Sequence, residues 1–96
     1  MTITVTGTLK RDAETYLGAN GNAIVVLLVD RERGMPFEGH RDFGTRPEDM
    51  LTAQAWAAKH RRGEACVMTG EAARIRTDHG VAAIVLTGGV TYEAAQ

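Results

Sequence analysis

The sequence predicts a small all-β domain with one helix, and three observations predict it. The first segment alternates strictly, a continuous apolar run follows an Asn-Gly turn, and one alanine-rich stretch carries helix signals at both ends. The chain has 96 residues, one domain's worth (1–96), and at 44% hydrophobic and 24% charged it has an ordinary globular composition.

In residues 2–9, Ile3, Val5, Gly7 and Leu9 fall on one face and Thr2, Thr4, Thr6 and Thr8 on the other, the period of a half-buried strand. Lys10 to Asn22 is a polar connection whose Asn20-Gly21 pair signals a hairpin turn. Ala23 to Asp30 is rich in valine, isoleucine and leucine, as in a strand covered on both faces. Arg31 to Gly44 reads as a loop with at most a short strand around His40 to Phe43.

Thr45-Arg46-Pro47-Glu48 has the form of a capping box, with Thr45 as N-cap, and Glu48 and Asp49 suit the positive end of a helix dipole. The helix then runs through Met50 to Ala58, with Lys59 to Arg62 complementing its C-terminal end and Gly63 stopping it. Ala65 to Arg76 returns to strand character with a bulge or bend at Gly70, and Thr77 to Gly80 makes a tight turn. Val81 to Thr87 is a further strand, Gly88-Gly89 a kink and Val90 to Tyr92 a short continuation. Five strands with a helix between strands 3 and 4 is the order of an oligonucleotide-binding (OB) fold barrel.

Three stretches then resemble the bacterial single-stranded DNA-binding protein family, which includes the related primosomal replication protein. They are Gly7-x-Leu9-x-Arg11-Asp12-x-Glu14 with Gly21-x-Ala23, Arg61-Arg62-Gly63 with Gly70, and Val85-Leu86-x-x-x-Val90-x-Tyr92. The resemblance implies sequence-nonspecific binding of single-stranded DNA in replication, recombination or repair. A groove this poor in aromatics binds weakly alone, so a homodimer or homotetramer is expected, with the unpaired, threonine-rich edge of the first strand as the contact. The chain departs from the family where an aromatic ends the fourth strand, here Thr77, and no acidic C-terminal tail that recruits partners precedes Gln96.

Composition bounds these expectations. Eleven Lys and Arg against twelve Asp and Glu give a formal charge of −1, so bulk charge offers a polyanion nothing. Between Lys59 and Arg76, however, five bases face two acids. No secretory signal is visible and the longest apolar run, Ala23 to Val29, is far short of the roughly 20 residues that span a bilayer. A cytoplasmic location without membrane association is expected, with Cys66 a buried, inert thiol.

A single strand asks for bases interleaved with aromatic rings, because cations neutralise phosphate and rings stack on any base. Arg31, Arg33 and Arg41 flank the second loop with Phe37 and Phe43 between them, although Glu32, Glu38 and Asp42 alternate with these arginines and can pair with them. Arg74 and Arg76 share one face at the end of the fourth strand, either as phosphate contacts or as a solvated strand end. Tyr16 offers a further ring. Arg11 and Asp12 read as a structural ion pair, and Trp56 projects from the polar side of the helix as an exposed subunit contact or a packing group under a loop. His40, His60 and His79 are scattered and a single cysteine gives no metal-ligand spacing, so neither metal nor cofactor is expected. No nucleophile is paired with a base, so an enzyme is not expected either. The competing expectation is an OB module that serves protein interaction or assembly without binding nucleic acid.

Overall fold

A computed structural model describes residues 1–78 and 80–95. The alternating first segment is strand β1 (Thr2–Leu9), followed by β2 (Glu14–Leu17), β3 (Ala23–Asp30), β4 (Phe37–Gly44), helix α1 (Pro47–Ala57), β5 (Ala65–Asp78) and β6 (Val81–Ala94). The protein is mostly β with one helix. Its six strands form one sheet in the order β1-β5-β6-β4-β3-β2, and Thr8 and Leu9 of β1 also pair with Asp30 and Val29 of β3. That last contact closes β1, β5, β6, β4 and β3 into a ring of hydrogen-bonded neighbours. All pairings are antiparallel except β4 with β6, where Phe37, Glu38 and Gly39 face Ile84, Val85 and Leu86.

Glycine makes the closure possible. A Cβ on Gly7 would sit 1.9 Å from the Asp30 carbonyl oxygen, so only glycine lets β1 pass this close to β3. At Gly70 the β5–β6 register shifts between Thr69 and Glu71, the irregularity expected there. The ring interior holds Val5, Leu9, Val25, Leu27, Val29, Met68 and Leu86, each at most 5% exposed. Full burial stabilises each such side chain by about 1.5–3 kcal/mol. Ala53 and Ala57 bring one face of α1 onto this core.

Several local expectations are corrected. The polar connection after β1 contains a strand, β2, because Glu14 to Leu17 pair with Ala23 to Val26 across a turn in which Gly21 has φ +80°. The segment before the helix is a full strand rather than a loop: Phe37 to Val29 and onward, β4 pairs with β3 along nearly its whole length. The helix cap is displaced by one residue. Arg46 is the N-cap, and Asp49 rather than Glu48 reaches back, its Oδ2 accepting the Arg46 backbone N–H at 2.9 Å. Lys59 to Arg62 lie beyond the helix end, and no base occupies its last turn. Gly63, at φ +91°, serves a turn there and donates its N–H to the Leu9 carbonyl at 2.8 Å. His79, in the expected tight turn, lies outside the described residues.

Candidate nucleic-acid interface

Two different surfaces emerge from the alternation of β3 and β4. On β3, Val25, Leu27 and Val29 point into the core, so Ile24, Val26 and Leu28 occupy the opposite, outer face. Their β4 partners there are Asp42, His40 and Glu38, since directly paired residues share a face. Across β6 this surface continues through Val85, the neighbour of both Glu38 and Arg74, and through Ala83, which faces Arg76. Ile24, Ala83 and Val85 are buried yet stand outside the core cluster, which identifies a second, outer packing layer.

Polar groups run across this layer. Glu38 is only 2% exposed, and its carboxylate is held by two partners. His40 Nε2 lies 2.7 Å from Oε2, and Arg76 Nη2 lies 3.3 Å from Oε1. The other ring nitrogen of His40 is 3.5 Å from the Tyr16 hydroxyl, with the two rings edge to face at 6.2 Å. Arg76, Glu38, His40 and Tyr16 thus link β5, β4 and β2 over the sheet. Burial of Glu38 is tolerated because both carboxylate oxygens have charged or polar partners. Tyr16 keeps 41% of its surface exposed, and Arg74 is exposed beside Val85. Asp42 accepts from Asn22 Nδ2 at 2.7 Å and from the Gly44 N–H at 2.8 Å, so it braces the β2–β3 turn.

The second surface lies on the helix side. Arg41 shares the face of Val25, and its guanidinium sits 4.8 Å from the Phe43 ring centre and 4.6 Å from that of Trp56. Trp56 packs on His60 at 4.3 Å and on Tyr92 at 5.6 Å. Beneath them Glu64 Oε1 accepts the Tyr92 hydroxyl at 2.5 Å and stands 2.7 Å from His60 Nδ1. Burial alone raises the Glu64 carboxyl, but hydrogen bonds from Tyr92 and His60 outweigh it and hold the group below its usual value. Tyr92 moves the other way, pushed well up by burial and by donating to Glu64. Burial likewise raises the Cys66 thiol, which is free and inaccessible.

The seven arginine and phenylalanine positions singled out from the sequence therefore do not converge. Arg74 and Arg76 reach the outer face. Arg41 and Phe43 belong to the helix-side cluster, where cation–π contact and half-burial occupy them. Phe37 is 3% exposed and is a core side chain rather than an open stacking ring, with Arg31 lying 4.7 Å over it. Arg31 also donates from Nε to the Met35 carbonyl at 2.9 Å, so it shapes the β3–β4 loop, whereas Arg33 is exposed on that loop. None of the three acids alternating with these arginines pairs with them. Trp56 is half-buried in the aromatic cluster, not an exposed subunit contact. Asp12 pairs with Arg61 at 3.3 Å and accepts the Arg62 N–H at 2.7 Å, in place of the expected pair with Arg11.

His40 and Glu38 are not among the residues the sequence singles out for binding, since their segment reads as a loop with at most a short strand around His40 to Phe43. The two-residue period of Glu38, His40 and Asp42 against Phe37, Gly39, Arg41 and Phe43 was the signal that places them on one face. Among the described residues no cluster of histidine, cysteine and carboxylate side chains is arranged to hold a metal, and no helix is long and apolar enough to cross a membrane. No protein-family model matches the chain, and no curated protein matches it.

Proposed function

We propose that this protein is an OB-fold barrel that binds single-stranded DNA with little sequence preference across the outer face of β3 and β4. The observation that carries the reading is the closed ring of five long strands with the helix between the third and fourth of them. In an OB fold the second and third strands of such a ring present the oligonucleotide face, flanked by the first connecting loop and the loop between the last two strands. Here those flanks are β2, bearing Tyr16, and the β5–β6 ribbon, bearing Arg74 and Arg76. In this reading Tyr16 stacks on a base, His40 supports the Tyr16 ring, and the two arginines follow the phosphates, with Arg33 a further contact at the loop end. The protein acts without catalysis and needs no cofactor.

Among the described residues one aromatic ring, Tyr16, is open and basic side chains are few, which makes a weak single site, so linked copies supply the avidity. Among the described residues the edge of β1 away from β5 has no strand partner from Thr2 to Thr6, ahead of the approach to β3 at Gly7 to Leu9, and suits pairing with a second copy into a homodimer or homotetramer. A second reading, an assembly module without nucleic-acid binding, is favoured by the carboxylates on the same face, since Glu38 already neutralises Arg76.

Fluorescence anisotropy of labelled oligo(dT) separates the two. Binding should weaken steeply as salt rises, because phosphate contacts release counterions, and Arg74→Ala should lower the logarithmic salt slope by about one. Absence of binding at about 50 mM salt with tens of micromolar protein rejects the nucleic-acid reading.

A further inference from the structure

Beyond Glu71, strand β5 has a partner on one side only. β1 pairs with β5 from Ala65 to Glu71, and the last backbone contact on that side is the Ala72 N–H to the Met1 carbonyl at 3.3 Å. From Arg74 to Thr77 the strand pairs with β6 alone among the described residues, beyond a register shift at Ala73, so alternate N–H and C=O groups face outward without a strand partner. Every residue from Glu71 to Thr77 is exposed, and Ile75 is 63% exposed although it is a large aliphatic group. An edge of this length with an apolar side chain at its centre is a template for an added strand.

Charge selects the added strand. Arg74 and Arg76 flank Ile75 and share the opposite face from it. A second copy pairing antiparallel about Ile75 would set Arg74 against Arg76 twice, and like charges directly opposite one another are destabilising. An extended peptide with acidic residues opposite the arginines and an apolar residue opposite Ile75 meets complementary chemistry on both faces. Arg76 takes part while keeping its contact with Glu38, because 42% of its side chain remains exposed.

We infer that the outer edge of β5, at Ala73 to Thr77, is a docking site for an acidic, alternating extended peptide that joins the sheet as an additional antiparallel strand. This site uses the backbone edge of β5 and does not depend on DNA binding, although it shares Arg74 and Arg76 with the proposed DNA face.

The test uses the full chain and a fluorescein-labelled heptapeptide of alternating glutamate and valine, with a lysine–valine peptide as its charge-reversed counterpart. The acidic peptide should bind and the basic one should not. Arg74→Glu should weaken binding about tenfold or more, and Ile75→Lys should weaken it as well; both positions are exposed, and circular dichroism verifies that each variant is folded. Two N-methylated forms of the acidic peptide, blocked on alternate residues, distinguish strand addition from loose charge attraction. Only the set whose N–H groups face the edge contributes hydrogen bonds, so one form should lose binding and the other keep it. Hydrogen exchange should show new protection at Ala73 to Thr77 with the acidic peptide. Equal behaviour of the two methylated forms overturns the inference. So does an absence of new protection at this edge with the acidic peptide, or its protection by self-association of the protein alone.

Discussion

The tightest point of the ring is Gly7, and replacing it with alanine is the sharpest perturbation of the closure. An added Cβ would lie 1.9 Å from the Asp30 carbonyl oxygen and 2.9 Å from its carbonyl carbon. Both obstacles are backbone, so no side-chain rotation relieves them, and β1 must move away from β3 by more than an ångström. The β1–β3 junction consists of two residue pairs, Thr8 with Asp30 and Leu9 with Val29, and such a shift breaks both. Loss of the junction removes about two backbone hydrogen bonds at roughly 0.5–1.5 kcal/mol each, and residual overpacking adds about 1–3 kcal/mol. A total near 3 kcal/mol lowers the melting temperature of a domain this size by about 10–25 °C. Urea and thermal unfolding followed by circular dichroism measure it, with Gly21→Ala as control. Gly21 has φ +80° and open space around its would-be Cβ, so its alanine variant should lose only the left-handed backbone cost of about 1–2 kcal/mol. A Gly7→Ala protein as stable as wild type would refute the ring closure.

Two further outcomes concern the helix-side cluster. Tyr92→Phe should lower stability by about 1.5–3 kcal/mol at neutral pH, because it removes a hydrogen bond to an ionised carboxylate. Glu64 and Asp49 are both held below their usual values, Glu64 by Tyr92 and His60 against burial and Asp49 by Arg46. Groups depressed in the folded state stabilise it above the ordinary values of 4.5 and 3.8, and that contribution disappears as the pH falls through the lower folded values. Urea midpoints should therefore drop on acidification, and the gap between Tyr92→Phe and wild type should narrow there; a gap constant with pH contradicts the assignment. Arg41→Ala should cost about 1–2 kcal/mol and shift Trp56 emission to the red, since the guanidinium covers both the Phe43 and Trp56 rings. An unchanged spectrum and midpoint would show that Arg41 does not pack there in solution.

The fold was legible where periodicity was strong. Thr2 to Leu9, Ala23 to Asp30 and the alanine-rich helix each carry a local pattern that their tertiary surroundings reinforce, and the irregularity at Gly70 follows from glycine's missing side chain. β4 was not legible as a full strand, because three glycines and a proline between Arg31 and Gly44 look like a loop. Gly39 is in fact a packing residue: a Cβ there would come 2.4 Å from Met68 Sδ, so the glycine reflects a close approach inside the ring rather than a turn. β2 was hidden for a different reason, since four polar-to-mixed residues gain strand pairing only from β3. These two misses explain the misplaced site. Once β4 is a strand, Arg41 and Phe43 turn toward the helix and Phe37 into the core, while His40 and Glu38 come to the outer face. Trp56 followed the same logic, because its partners Phe43 and Tyr92 come from strands distant in sequence and only His60 is a local neighbour.

The most direct test of the proposed interface is amide chemical-shift mapping of the full chain titrated with oligo(dT) at low salt. The expected result is a set of perturbations on Tyr16, Ile24, Val26, His40, Arg74 and Arg76, fading as salt is raised, with the helix α1 and the Trp56 cluster unmoved. Perturbations confined to the helix side, or none at all under those conditions, would contradict binding across β3 and β4.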